Sequence, residues 1–386
     1  MKIQKYIAFF LVYGLLAFLF SEILLRVINF NYPNFYRISE KTWTEHYPNA
    51  EGWQSVEGEA YIKINKDGLR GPLYSKLKPA NTIRIAVLGD SFTEAFQVHI
   101  EKTFWKIMEN ELNTCKSIKR KKVEVISFGV SGYGTAQELI TLRQKAYSYD
   151  PDIVLLTIFT GNDINNNYAA LDQGEIRPYY QYKNGELILD DSFRNLEQFK
   201  KKTGFLWKSF LFTAQYSRTI QLLNKVRHRF AKRSISERGK TDKKLRAGVF
   251  VEPKNKDWKE AWLITEKLIE AMNVEVREKG AKFILASLSQ AIQVHPDLKV
   301  RQTFMDKLGL NDLFYPDKRI EAFAVRNKIP SMIIAPLLAD YTYKNNVFVH
   351  GFKNSKLGEG HWNEEGHRFA ANLMANKICK DPFLFK

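Results

Sequence analysis

Cysteine is scarce in this chain of 386 residues: only Cys115 and Cys379 occur, far apart and with no C-x-x-C pair. They neither establish nor exclude a disulfide, and they cannot form a metal site by themselves. Acids are outnumbered, with 42 Asp+Glu against 59 Lys+Arg, a balance of +17. That excess suits anionic lipid headgroups, acidic glycans or nucleic acid. Zinc-finger spacing, RNA-binding aromatic signatures and basic-zipper heptads are all missing, so nucleic acid is set aside as a partner. Internal repeats are absent too. After the first apolar stretch there is no A-x-A pattern of small residues, which argues against a cleaved signal peptide.

What is present is ample material for a core: 45% apolar and 13% aromatic residues exclude global disorder. From Tyr6 to Leu25 the chain is apolar except for Ser21 and Glu22. Twenty residues at ~1.5 Å each span about 30 Å, the thickness of a bilayer core. Glu22 and Arg26, four apart near one end, suit the headgroup region. We therefore expect an uncleaved anchor. Lys2 and Lys5 precede it and only Arg26 follows closely, which places residues 1–5 in the cytoplasm and the rest beyond the membrane.

Residues 26–80 read as a mostly irregular connector with Pro33, Pro48, Pro72 and Pro79, a turn cluster at Asn65–Gly71 and a short edge strand at 61–64. Residues 81–386 then alternate strand and helix. Strands are expected at 83–88, 123–128, 152–159, 283–288 and 331–335, and helices at 103–112, 136–147, 258–279, 319–328 and 369–378. Alternation of this kind argues an α/β fold, a parallel sheet with helices on both faces. The rhythm breaks over an insertion, 164–257. It holds a hairpin-like excursion around Asn184-Gly185, an amphipathic helix from Leu206 to Val226, and a basic run from Lys225 to Arg246. The run reads as a solvated loop, or as a membrane-facing patch given the anchor.

The chemistry is sought where strands end. Ile83, Ile85, Val87 and Leu88 form an apolar run that stops at Gly89-Asp90-Ser91. Gly89 permits a tight bend, Asp90 can bond the turn backbone, and the Ser91 hydroxyl falls at the carboxyl edge of the sheet. Read blandly, Ser91 is a helix-capping serine. The next two strands end at the loops holding Gly132 and Asn162, so the Ser91 and Gly132 N–H groups and the Asn162 amide are candidate donors to an oxyanion. The base must come from elsewhere. Among seven histidines, His361 lies in a dense polar cluster, Gly358 to His367, before a helix for which Asn363 is a candidate N-cap. Glu359, two residues away, is the candidate orienting acid. His350 is a candidate cleft residue; His367, Glu94 and Asp163 read as structural. Glu359, His361 and His367 are a conceivable metal set, but Ser91 and Asn162 would then have no purpose, so neither metal nor cofactor is expected.

Strand-Gly-Asp-Ser, then Gly-x-Ser-Gly, Gly-Asn-Asp and a C-terminal His-Trp-Asn, in that order over about residues 60–380, resemble the SGNH (GDSL-type) hydrolases. The resemblance implies a three-layer α/β/α, flavodoxin-like fold. It implies Ser91 as nucleophile, His361 as base, and Ser91, Gly132 and Asn162 as oxyanion hole. An N-terminal membrane segment and Asn65-x-x-Gly68-x-Arg70 are similar to a bacterial envelope subgroup. One departure is plain: the family's acid before the histidine is Asp, whereas this chain has Glu359, with Gly358 at the three-residue position. The expected activity is hydrolysis of an ester, or of an O-acyl group on a glycan or lipid, outside the cytoplasmic membrane. The alternatives are O-acyl transfer to envelope polysaccharide and a catalytically weak glycan-binding scaffold.

Overall fold

The computed structural model describes residues 2–118, 121–172, 176–235 and 247–381. Residues 236–246, half of the expected basic run, lie outside these. The chain opens with helix α1 (Lys2–Val27), in which Ile3–Val27 has a mean hydropathy of 2.3 and residues 3–20 are all exposed. Among the described residues it is the one helix long and apolar enough to cross a membrane.

Residues 36–63, expected to be mostly irregular, instead form two antiparallel ribbons. Strand β1 (Tyr36–Ser39) pairs with β2 (Trp43–His46), and β3 (Glu51–Gln54) with β4 (Ala60–Lys63). Each strand is four residues, too short to print a clear alternation in the sequence. Their inner residues pack with Phe96 in a small core of Phe35, Ala50, Ala60, Ile62 and Ile64. The Asn65–Arg70 turn follows. Asn65 Oδ1 accepts from Asp67 N and Leu69 N, holding the loop so that buried Arg70 reaches the carbonyls of Glu94, Ala95 and Val98.

The central sheet is parallel throughout: β5 (Thr82–Leu88), β6 (Lys122–Ser127), β7 (Ile153–Phe159), β10 (Lys282–Leu288) and β11 (Ser331–Ile333), in the order β11-β10-β7-β5-β6. Alternation sends Ala86, Leu88, Val154 and Leu156 to one face and Ile85, Val87, Ile153 and Leu155 to the other. On the first face lie helices Thr135–Gln144 and Lys256–Glu278, and on the second Phe104–Thr114 and Glu364–Lys380. This is the three-layer α/β/α arrangement read from the sequence, in the flavodoxin-like strand order. Its crevice falls between β5 and β7, where strand order reverses.

The insertion begins after β7. Strands β8 (Tyr179–Lys183) and β9 (Glu186–Asp190) turn at Asn184-Gly185, both with positive φ, as the Asn-Gly signal requires. The single helix expected from Leu206 to Val226 is broken in two. Among the helices of this region, one spans Phe205–Tyr216 and the next Arg218–Ile235, with extended Ser217 between them. The break has a cause. Glu22 of α1 accepts from the backbone N–H groups of Arg218 and Thr219 and from Ser217 Oγ, so the second helix starts afresh on a carboxylate cap.

Cys115 and Cys379 form a disulfide across 264 residues, tying the end of helix Phe104–Thr114 to the last helix. Loop-closure entropy sets an upper bound of about 5 kcal/mol for so long a loop, and about 2–4 kcal/mol is usual. Thermal unfolding with and without reductant should therefore show Tm falling by several degrees on reduction. The Cys115→Ser/Cys379→Ser double variant should sit at the lower value in both conditions.

Candidate active site

β5 runs buried to Leu88 and breaks at Gly89, where an added Cβ would meet Thr157 Oγ1 at 2.2 Å and Thr93 Oγ1 at 2.3 Å. Only glycine lets the strand end close against those two threonines. Asp90 then caps a single helical turn, Ser91–Glu94, its carboxylate accepting from Phe92 N at 2.9 Å. Ser91 is the first residue of that turn. Its N–H has no intrahelical carbonyl to bond, and its hydroxyl stands at the mouth of the crevice, 8% exposed.

The structure brings His361 to it across 270 residues: Nε2 lies 2.8 Å from Ser91 Oγ. On the other side of the ring, Nδ1 is 2.6 Å from Glu57 Oε2, while Glu57 Oε1 accepts from His361 N at 2.8 Å. One carboxylate thus fixes both the imidazole and its own peptide. With the proton on Nδ1, facing the acid, Nε2 presents its lone pair to the serine.

Glu359 is not the orienting acid expected from the sequence. Its side chain is exposed and pairs with Lys356 at 2.6 Å. Gly358 and Gly360 on either side have positive φ, and the turn they make carries residue 359 outward. At Gly360 an added Cβ would meet Glu57 Oε1 at 2.0 Å, so the glycine also opens the space the acid occupies.

Glu57 comes from the turn between β3 and β4, inside the segment read as a connector. Asn354 locks that turn to the histidine loop: its Oδ1 accepts from Gly58 N at 2.9 Å, and its Nδ2 donates to Gly58 O at 2.7 Å. The sequence carries a turn signal at Glu57-Gly58-Glu59 flanked by Trp53 and Tyr61-Ile62. It carries no local signal that this turn meets residue 361.

The charges are tuned by this geometry. Burial disfavours the His361 imidazolium, but the Glu57 hydrogen bond and charge outweigh it, with Asp90 and Glu94 adding, and its pKa ends above the usual value. Glu57 shows the reverse: burial raises it, and the His361 contacts bring it below the ordinary range. Asp90, fully buried, is pushed up to about 6 by burial, against the pull of Phe92 N–H, the His361 charge and the Asn162 amide. Glu138 and Asp163 are also buried and raised, by burial and by the carboxyls around them.

Asn162 stands at the start of the short helix Asp163–Asn166 after β7, near enough to Asp90, the residue before Ser91, to help lower that carboxyl's pKa. Gly132 sits in the loop after β6 with φ 79°, and its carbonyl accepts from Arg177 at 2.5 Å. Both therefore lie on loops following strands that flank β5.

Other residues singled out in the sequence have structural places. Glu94 accepts from Tyr36 Oη and Ser131 N and pairs with His46, joining the N-terminal ribbons to the Ser91 turn and the Gly132 loop. Asp163 accepts from Phe159 N at 2.7 Å. His367 is buried, accepts from Phe104 N and stacks on that ring. His350 does not line an open cleft: it is 1% exposed, between Gly360 O and Ser289 Oγ. Asn363 caps the last helix as expected, accepting from Glu365 N and Gly366 N.

A cavity of about 700 Å³ lies elsewhere, behind the Gly129–Tyr133 loop, and touches neither Ser91 nor His361.

No protein-family model matches the chain, and no curated protein does. Among solved structures it is similar to the acetyl xylan esterase AlAXEase, at 15% identity and a TM-score of 0.40, covering 77% of this chain and 100% of that one. It is also similar to a variant of Axe2, an acetylxylan esterase from Geobacillus stearothermophilus, at 11% identity and a TM-score of 0.38, covering 80% and 98%. A third is LAE5, an alpha/beta hydrolase enzyme from the metagenome of Lake Arreo, Spain, at 12% identity and a TM-score of 0.37, covering 79% and 96%.

Proposed function

We propose that this chain is a serine ester hydrolase of the SGNH type, anchored by α1 and acting on an ester or O-acyl group outside the cytoplasmic membrane. The observation that carries the reading is the relay from Glu57 through His361 to Ser91, with contacts of 2.6 and 2.8 Å. Ser91 Oγ attacks the acyl carbon while His361 Nε2 takes its proton, and Glu57 stabilises the imidazolium that forms. The tetrahedral oxyanion is held by the Ser91 and Gly132 N–H groups and the Asn162 amide. His361 then returns the proton to the leaving alcohol. Water, deprotonated by the same imidazole, releases the acid and restores Ser91.

The weak-scaffold alternative rested on Glu359 standing where the family has Asp. Glu57 removes that reason, because the histidine has a carboxylate partner from another part of the chain. An extracytoplasmic site is supported by the Cys115–Cys379 disulfide, since such bonds persist in oxidising compartments.

Labelling with a fluorophosphonate tests the assignment: the adduct should map to Ser91 by peptide mass, and an unlabelled Ser91 in folded protein would sink it. Asn162→Ala should lower kcat about 10²–10³-fold on a short-chain acyl ester, with KM little changed, as loss of one oxyanion donor does.

A further inference from the structure

The two helices that meet at Ser217 are α2 (Phe205–Tyr216) and α3 (Arg218–Ile235). Helix α2 is twelve residues, about 18 Å long. Its side chains Phe205, Leu206, Phe210, Phe212 and Tyr216 are 82%, 83%, 42%, 61% and 57% exposed. Of its residues only Ala214 and Gln215 are buried. With Trp207 at 41%, six large apolar groups exposed on one short helix exceed the scattered exposure normal for a soluble surface.

The place of this helix in the fold says what covers it. Arg26 of α1 donates to Tyr216 O at 2.9 Å, and Ser21 Oγ meets Thr219 Oγ1 at 3.0 Å. Glu22 caps α3 by the contacts described above. The C-terminal end of α2 is thus pinned to the stretch Ser21–Arg26, where the apolar span of α1 gives way to polar residues. If α1 crosses a bilayer, that stretch lies at the headgroups, and the exposed face of α2 is continuous with the span. Charge agrees. Residues 197–227 hold seven Lys/Arg and one acid, Glu197, which suits anionic headgroups.

We propose that α2 is a second membrane-contacting element, an interfacial helix whose apolar face enters the outer leaflet of an anionic bilayer. The catalytic domain is thereby seated on the membrane instead of swinging from α1. Such helices sink roughly 5–10 Å into the headgroup and acyl boundary. The inference rests on α1 spanning the bilayer, and the test separates the two.

Both native cysteines are paired, so one introduced cysteine on the full chain can be labelled alone with an environment-sensitive fluorophore. Leu206→Cys reports α2, Leu15→Cys reports α1, and Val325→Cys, 70% exposed on helix Tyr315–Arg326, is the solvent reference. The protein is reconstituted in vesicles of phosphatidylcholine and phosphatidylglycerol, with a nitroxide lipid labelled high on the acyl chain. The expected result is loss of about half or more of the emission at 206, as at 15, with 325 unquenched by the lipid and quenched by aqueous iodide. Quenching at 15 but not at 206 overturns the α2 proposal and leaves the anchor standing. No quenching at either site overturns both. Protection at 206 that rises with protein-to-lipid ratio and not with nitroxide content means a second copy covers the helix, and also overturns it.

Discussion

Replacing Ser91 by alanine is expected to abolish covalent labelling and to lower ester turnover on the order of 10⁶-fold, the scale at which removal of a nucleophile strips a hydrolase of its acyl-enzyme. The substitution deletes one hydroxyl at a site 8% exposed, and the turn around it is held by the Asp90 cap and by Arg70 on the following carbonyls. Folding should therefore survive, and unchanged Tm alongside lost turnover is the outcome to measure. His361→Ala should cost a similar factor. The double variant should be no worse than either single one, because nucleophile and base act as one unit. A Ser91→Ala protein that keeps wild-type turnover would end the proposal.

Glu57→Gln is the second large effect. The amide can still accept a hydrogen bond, but it carries no charge to stabilise the imidazolium and can present the wrong group to Nδ1. A loss of about 10³–10⁴-fold in kcat is expected, with KM nearly unchanged. The pH profile gives a readout that mere misfolding would not. Glu57 holds the His361 pKa above its usual value. The active base is neutral, so activity falls as pH drops through that raised pKa. Removing the carboxylate lets the imidazole titrate lower, and the acid limb of kcat/KM should move to lower pH. Glu359→Gln should leave both rate and profile within about two-fold, since an exposed pair with Lys356 is worth little. If Glu359→Gln and not Glu57→Gln shifted the limb, the assignment of the acid would be wrong.

The sheet was legible because its strands are buried on both sides. Continuous apolar runs such as Ile153–Phe159 stop at glycine and polar residues, and each expected strand lies within two residues of the observed one. Helix starts are marked where caps are strong, at Thr103 and Asn363, although the last helix begins at Glu364, five residues before the expected 369. Ser91 and His361 were visible because each sits beside glycines and polar residues where an apolar run begins or ends. Glu57 was not. It is one of many acids, in a turn between four-residue strands, and its meaning is set by a contact 304 residues away that no local pattern encodes. Helix Leu298–Leu308 carries no such signal either: none of its residues is buried, so its apolar periodicity is weak. The Ser217 break failed to show for a related reason, because the cap is supplied by Glu22 from another helix.

The order in which the chain is made bears on the site. Glu57 and Ser91 are synthesised long before His361, and the disulfide that fastens its neighbourhood waits for Cys379. On the proposed reading, until then Ser91 has no base and Glu57 has no imidazole to orient. Contacts of such separation carry the loop-closure entropy of most of the chain. On the proposed reading, a product that stops before His361 is expected to be inert toward esters, because the Ser91 hydroxyl then has no base.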